Sequence, residues 1–123
     1  MAQQVLVVDD DRDVRELLQL TLEREGYTVR MVNSGLKLLS TLHVDHPSLI
    51  ILDVLMKWVD GFELCRAIKK NPQFGTTPVV LISGKRSQKD IDRGMECGAL
   101  DYFVKPFDLD LLVQRVREII GPP

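Results

Sequence analysis

Four aliphatic residues run straight into a carboxylate at Leu49-Ile50-Ile51-Leu52-Asp53, and this stretch constrains the fold more than any other. An apolar run without alternation is a strand buried on both faces, as in a parallel sheet covered by helices. The middle of such a strand cannot hold an ionised carboxylate, so Asp53 belongs at its exposed C-terminal end. Ligands of open α/β sheets bind at that edge. Asp53 is therefore the first candidate for chemistry.

The rest of the chain repeats the pattern. Val5-Leu6-Val7-Val8 is a second buried strand and ends in Asp9-Asp10-Asp11. From about Arg12 to Glu25, Val14, Leu17, Leu18, Thr21 and Leu22 fall on one helical face, and Gly26 stops that helix. Tyr27 to Val32 is a more polar strand, suited to the edge of the sheet. Asn33-Ser34-Gly35 opens a helix with Leu38, Leu39 and Leu42 inward, and His43 and His46 lie at its solvated end before Pro47. After Asp53 a loop from Val54 to Asp60 leads to a third helix, which buries Phe62, Leu64, Cys65 and Ile68 and ends at Asn71-Pro72. Val79-Val80-Leu81-Ile82 is again doubly buried and runs into Ser83-Gly84. Ser87 caps a fourth helix through about Cys97, closed by Gly98; its apolar face, Ile91 and Met95, is thin. Tyr102-Phe103-Val104 is the last strand, ending in Lys105-Pro106, and a fifth helix from Asp108 to Ile120 buries Leu112, Val113, Val116 and one or both of Ile119 and Ile120. Five strand–helix units in strict alternation, joined by right-handed crossovers, form a parallel sheet with helices on both faces.

Composition narrows the function classes. The 123 residues are expected to form one domain, 1–121, with Pro122 and Pro123 as a tail or the start of a linker. A net charge of −2 gives no general drive toward nucleic acid or an anionic membrane. No apolar stretch approaches a membrane span, no signal peptide is visible, and the expected location is the cytoplasm. Cys65 and Cys97 stand in no metal or redox spacing and are expected to be free thiols in a reducing compartment. Lys85, Arg86 and Lys89 are read as the solvated start of a helix.

The strand ends carry the functional argument. Four of the five strands stop at Asp9-Asp10, Asp53, Ser83 and Lys105, and a parallel sheet brings all four ends to one edge. Clustered carboxylates repel unless a cation is present. Oxygen ligands at this density suit Mg²⁺, with Asp9 and Asp10 as its seat and Asp11 as no more than a helix cap. Lys105 adds a fixed positive charge for a phosphoryl group, and Ser83 a hydrogen-bond donor. Asp53 alone on the central strand is the best nucleophile, and attack on phosphorus would give an aspartyl phosphate.

With Val7-Val8-Asp9-Asp10, Leu52-Asp53-Val54 with Met56 and Asp60-Gly61, Ile82-Ser83-Gly84 and Lys105-Pro106-Phe107 in that order, nearly the whole chain resembles the receiver domain of two-component response regulators. The resemblance implies a flavodoxin-like (βα)5 three-layer sandwich with strand order 2-1-3-4-5. It implies Asp53 as phosphoacceptor, and Mg²⁺ held by Asp9, Asp10, Asp53 and the backbone carbonyl of Leu55. Ser83 becomes the switch hydroxyl, Lys105 the phosphate partner and Tyr102 the aromatic that turns inward with Ser83; the Lys105-Pro106 bond is expected to be cis. The implied partners are a sensor histidine kinase or phosphotransfer protein and an effector of unknown identity, with a homodimer allowed and no direct contact to nucleic acid or membrane. Such a domain is a signalling switch and not an enzyme beyond its own phosphorylation and dephosphorylation.

Two departures stand out. Lys57-Trp58 follows Met56 where the family usually has Pro, which sets an indole beside the acceptor. Leu55 and Lys85 occupy positions that tune dephosphorylation in the family, and an apolar Leu55 with a cationic Lys85 predicts a long-lived phosphoryl group. Two rivals remain: an interaction module of the same fold that is not phosphorylated, and a phosphatase of the aspartyl-phosphate type. The phosphatase would need a carboxylate where Leu55 stands. No effector segment follows Pro123, so the chain reads as a stand-alone regulator or as a fragment cut at a linker.

Overall fold

Residues 3–123 are described by the computed structural model. The first strand, β1 (Gln4–Val8), enters helix α1 (Arg12–Arg24), and the pattern repeats with β2 (Thr28–Val32), α2 (Gly35–Val44) and β3 (Leu49–Asp53). Two short strands, β4 (Leu55–Met56) and β5 (Val59–Asp60), precede α3 (Gly61–Lys70). Then come β6 (Val79–Ser83), α4 (Gln88–Glu96), β7 (Asp101–Val104) and α5 (Leu109–Ile120). The five long strands form one parallel sheet in the order β2-β1-β3-β6-β7. Counting only these five, this is the order 2-1-3-4-5 of the flavodoxin-like fold, with polar β2 at one edge.

Alternation inside the buried strands feeds two cores. Leu6, Val8, Ile50, Leu52, Val79 and Leu81 face Leu38, Leu42, Phe62, Cys65 and Ile68 of α2 and α3. Val5, Val7, Leu49, Ile51, Val80 and Ile82 face Leu18, Leu22, Leu112 and Val116 of α1 and α5. Every residue of β3 and β6 is buried, which is why neither shows a polar–apolar alternation. Each fully buried aliphatic side chain contributes about 1.5–3 kcal/mol relative to exposure, so these two strands anchor the fold.

The helices start where short polar side chains stop the strands. Asp11, Ser34, Asp60, Ser87 and Asp108 each accept a backbone N–H of the first turn they precede. Each cap is worth about 1 kcal/mol. Gly26 and Gly98 sit at φ 104° and 99°, the left-handed region that ends α1 and the turn after α4 without a Cβ penalty.

Four sequence expectations are corrected. Leu17, Leu39 and Met95 are not inward: each is 40–45% exposed, because a helix lying on a sheet buries a narrower stripe than its full apolar face. Thr41 takes the buried position on α2, and on α4 the only buried residue is Gly94. Leu81 and Tyr102 pack so closely there that a Cβ on Gly94 would lie 2.9 Å from each. The segment 54–60 is also no plain loop, since β4 and β5 pair as an antiparallel hairpin, Leu55 opposite Asp60 and Met56 opposite Val59. Trp58 at its tip takes φ 67°, a conformation in which a bulky residue is uncommon. His43 and His46 are exposed as expected, with His43 edge-on to Phe74 at 5.3 Å.

Candidate functional site at the carboxyl edge of the sheet

Parallel pairing brings the strand ends together. Asp9 follows β1 and is fully buried, and Ser83 ends β6 with no exposure; Asp53, expected at an exposed strand end, ends β3 at only 3% exposure because the Leu55 amide and the Lys105 ammonium partner it there. Buried polar groups need partners, and each of these has them. The Asp11 amide donates to Asp9 Oδ1 at 2.9 Å, and the Leu55 amide to Asp53 Oδ1 at 3.2 Å. The Lys85 amide donates to Ser83 Oγ at 3.0 Å. Lys105 follows β7, its own amide bonded to the Ser83 carbonyl at 2.7 Å, and its peptide bond to Pro106 is cis. From there Nζ lies 2.9 Å from Asp9 Oδ2 and 3.5 Å from Asp53 Oδ2. One ammonium thus bridges two buried carboxylates.

Asp10 is exposed, and its Oδ2 accepts the Lys57 amide at 3.1 Å. Carboxylate oxygens of Asp9, Asp10 and Asp53 all lie within 4.8 Å of one another. Burial and then the charge of Asp9 push the Asp53 carboxyl up from 3.8 to about 7, against the pull of Lys105 and the Leu55 amide. Burial works against the Lys105 ammonium, but its hydrogen bond to Asp9 and the charges of Asp53 and Asp9 prevail and raise its pKa. Three acids and one base leave an excess of negative charge at a mouth built of oxygen atoms. A divalent cation that prefers oxygen fits this donor set, and nothing in it suits a thiophilic metal.

The hairpin positions the site from one side. It hangs on the two carboxylates that its Leu55 and Lys57 amides hold, while Gly61 closes its base. A Cβ on Gly61 would lie 2.5 Å from Val54 Cα and 2.7 Å from the Asp53 carbonyl oxygen, so only glycine permits the approach. The hairpin leaves Leu55 half exposed and Trp58 99% exposed. On the other side Tyr102 is buried, stacked on Phe62 at 6.5 Å, and its hydroxyl donates to the Lys85 carbonyl at 2.8 Å. A hollow of about 340 Å³ lined by Val14, Leu17, Lys105, Pro106 and Phe107 opens beside the ammonium.

The profile of the response regulator receiver domain matches residues 5–117. The chain belongs to that family. Among curated relatives, the transcriptional regulatory protein CseB of Streptomyces coelicolor is 41% identical over 116 residues, covering 94% of this chain and 48% of its own. The response regulator MprA of Mycobacterium ulcerans is 37% identical over 120 residues, covering 98% of this chain and 51% of its own. The chain thus spans about half the length of these curated relatives. The signal receiver domain of a signal transduction histidine kinase from Syntrophus aciditrophicus superposes with a TM-score of 0.90 at 36% identity, covering 98% of this chain and 91% of that one. The chemotaxis response regulator CheY4 of Vibrio cholerae gives 0.89 at 28%, covering 97% and 99%.

In this receiver domain the sequence-derived residues Asp9, Asp10, Asp53, Ser83 and Lys105 all meet at one edge, and Tyr102 reaches it through the Lys85 carbonyl. Residues that sequence reasoning missed are those that hold the site from outside. Arg15 on α1 donates to the Asp9 carbonyl at 2.8 Å. Arg93 on α4 reaches Asp60 Oδ2 at 3.0 Å and Glu63 Oε1 at 3.5 Å, with its guanidinium 4.5 Å above the Phe62 ring. Neither stands in a motif, and no one-dimensional pattern marks an arginine that crosses between elements. No helix among the described residues is long and apolar enough to cross a membrane.

Proposed function

We propose that this receiver domain takes a phosphoryl group onto Asp53 from a phosphohistidine of a sensor kinase or phosphotransfer protein. The observation that carries the reading is a buried carboxylate at the end of the central strand, Asp53, facing an ammonium at 3.5 Å with two further acids in contact range. In the transfer an Asp53 oxygen attacks phosphorus, a P–O bond forms, and the bond from phosphorus to the donor nitrogen breaks. Catalysis of this step is positioning and charge neutralisation. Asp53 Oδ1 is oriented by the Leu55 amide, which leaves Oδ2 to react. Lys105, already beside Oδ2, moves to an oxygen of the incoming group, and the Ser83 hydroxyl donates to another. Asp9, Asp10, Asp53 and the Leu55 carbonyl would hold Mg²⁺, which when bound would supply positive charge to offset the carboxylates and the phosphoryl oxygens. The apolar hollow between α1 and Phe107 offers the donor protein a place to rest beside Lys105.

The signal follows from the same geometry. The phosphoryl group adds about −1.5 to −2 charge. Ser83, drawn toward it, gives up the Lys85 amide and with it the local path to Tyr102. Helix α4, which buries only Gly94, shifts in population with that change. The output is a changed protein-binding surface, read by an effector in the same chain or another. The apolar Leu55 side chain and cationic Lys85 give the attacking water no orienting acceptor, so the phosphoryl group is long-lived.

The test is intact mass after incubation with acetyl phosphate and Mg²⁺. A gain of one phosphoryl group in the parent, lost without Mg²⁺ and in Asp53→Asn, is the expected result. No gain in a folded protein would leave the domain as a constitutive interaction module.

A further inference from the structure

Two thiols that the phosphoryl chemistry does not use meet between α3 and the end of α4. Cys65 on α3 is fully buried and Cys97, the residue that caps α4, is 3% exposed. The Cys65 thiol points at the backbone of its counterpart, with Sγ 3.7 Å from the Cys97 carbonyl oxygen. The Cys97 sulfur in turn accepts the Arg66 guanidinium at 3.5 Å. The next residue, Gly98, packs so closely on the same face of α3 that a Cβ there would lie 2.9 Å from Lys69 Cγ. Two cysteines 32 positions apart in sequence are therefore neighbours, Cys65 through its thiol and Cys97 through its backbone carbonyl, and a guanidinium sits on the Cys97 sulfur. A cation beside a thiol favours the nucleophilic thiolate. Burial and then the charge of Cys97 raise the Cys65 thiol to about 11, against the smaller pull of Lys69 and Arg66.

We propose that Cys97 and Cys65 are a peroxide-oxidisable pair, forming an intramolecular disulfide that staples α4 to α3. The Cys97 thiolate attacks hydrogen peroxide, giving a sulfenic acid and releasing hydroxide. The Cys65 sulfur then attacks the Cys97 sulfur, its proton leaves with the hydroxyl group as water, and the disulfide forms. Two thiols and one peroxide become one disulfide and two waters. The staple fixes the C-terminal end of the most loosely held helix, and this inference stands independently of whether Asp53 is phosphorylated.

The experiment treats the native, folded protein with hydrogen peroxide, then denatures and alkylates it without reductant and measures intact mass. The expected product is a monomer lighter by two hydrogens that takes up no alkyl groups and recovers both sites after reduction. Hydrogen exchange of residues 88–97 slows in that product. Cys65→Ser leaves a sulfenic acid at Cys97 that dimedone traps, Cys97→Ser leaves no trappable species, and Arg66→Gln slows oxidation about tenfold. A parent that keeps both thiols alkylatable, that over-oxidises at single sulfurs, or that cross-links only between molecules overturns the proposal. The parent measurement decides this even where a variant fails to fold.

Discussion

Asp53→Asn should stabilise the metal-free domain, increasingly as pH rises from about 4 to about 7 and fully above that. In the folded chain the carboxyl titrates at about 7 instead of 3.8, because burial and the neighbouring Asp9 outweigh Lys105. The sign follows directly. Between these two values the folded protein binds a proton that the unfolded chain does not, so stability falls as pH rises through that window. Above about 7 the whole penalty is present; near pH 4 it has gone. A difference of roughly three pH units at ~1.4 kcal/mol each is about 4 kcal/mol. Asn keeps the shape and the acceptor for the Leu55 amide, and Lys105 keeps its closer partner, Asp9. For a domain of this size about 4 kcal/mol corresponds to a rise in Tm of about 15 °C. Thermal melts of parent and variant from about pH 4.5 to 8.5 in chelator would show the two curves separating as pH rises. Adding Mg²⁺ near pH 8 should close most of the gap by stabilising the parent more than the variant. A gap of constant size across the pH range, or a variant less stable near pH 8, would refute the view that Asp53 is held against its own charge.

Lys105→Ala should cost about 3–5 kcal/mol near pH 7, because it leaves buried Asp9 without its cation; the loss shrinks in melts at lower pH as a carboxylate takes up a proton. Gly61→Ala forces a Cβ into Val54 and should cost about 1–3 kcal/mol, with slower phosphorylation from acetyl phosphate as the hairpin is displaced. Leu55→Asn should hasten loss of the phosphoryl group about tenfold, the worth of one orienting hydrogen bond to water, read as decay of the phosphorylated mass. Arg93→Ala should leave the denaturant midpoint nearly unchanged, since its ion pairs are half exposed, yet raise amide exchange across residues 88–97.

What could be read from the sequence divides along a physical line. The strand ends were legible because the apolar middle of a doubly buried strand has no place for a charge, so Asp9, Asp53, Ser83 and Lys105 had to come at the strand ends, on one edge; that Asp9, Asp53 and Ser83 are buried there was not. The helices were legible where a short polar cap met an apolar stripe, as at Ser34 with Leu38 and Leu42. The hairpin was not: Leu55-Met56 and Val59-Asp60 are too short to carry a period, and what holds them is the pair of amides, Leu55 and Lys57, that donate to carboxylates outside the hairpin, Asp53 and Asp10. Leu17, Leu39 and Met95 failed for a related reason, since periodicity marks a face but not how far a curved, twisted sheet covers it.

That limit bears most on α4. Its sequence shows a thin apolar face, and the structure makes it thinner by exposing Met95 and leaving Gly94 as the one buried contact. Besides partly buried Ile91, the helix is held by contacts invisible to any pattern: a missing Cβ against Leu81 and Tyr102, one arginine over Phe62, and a cysteine at its cap. Each contact is worth little alone, so the helix sits at the low end of local stability in a fold whose central strands are fully buried. A switch needs such an element, because a phosphoryl group offers only a few charge-assisted hydrogen bonds to bias it. The acceptor edge is built to be rigid and α4 to be cheap to move. Ser83 and Tyr102, on adjacent strands paired at Leu81 and Tyr102, connect the two.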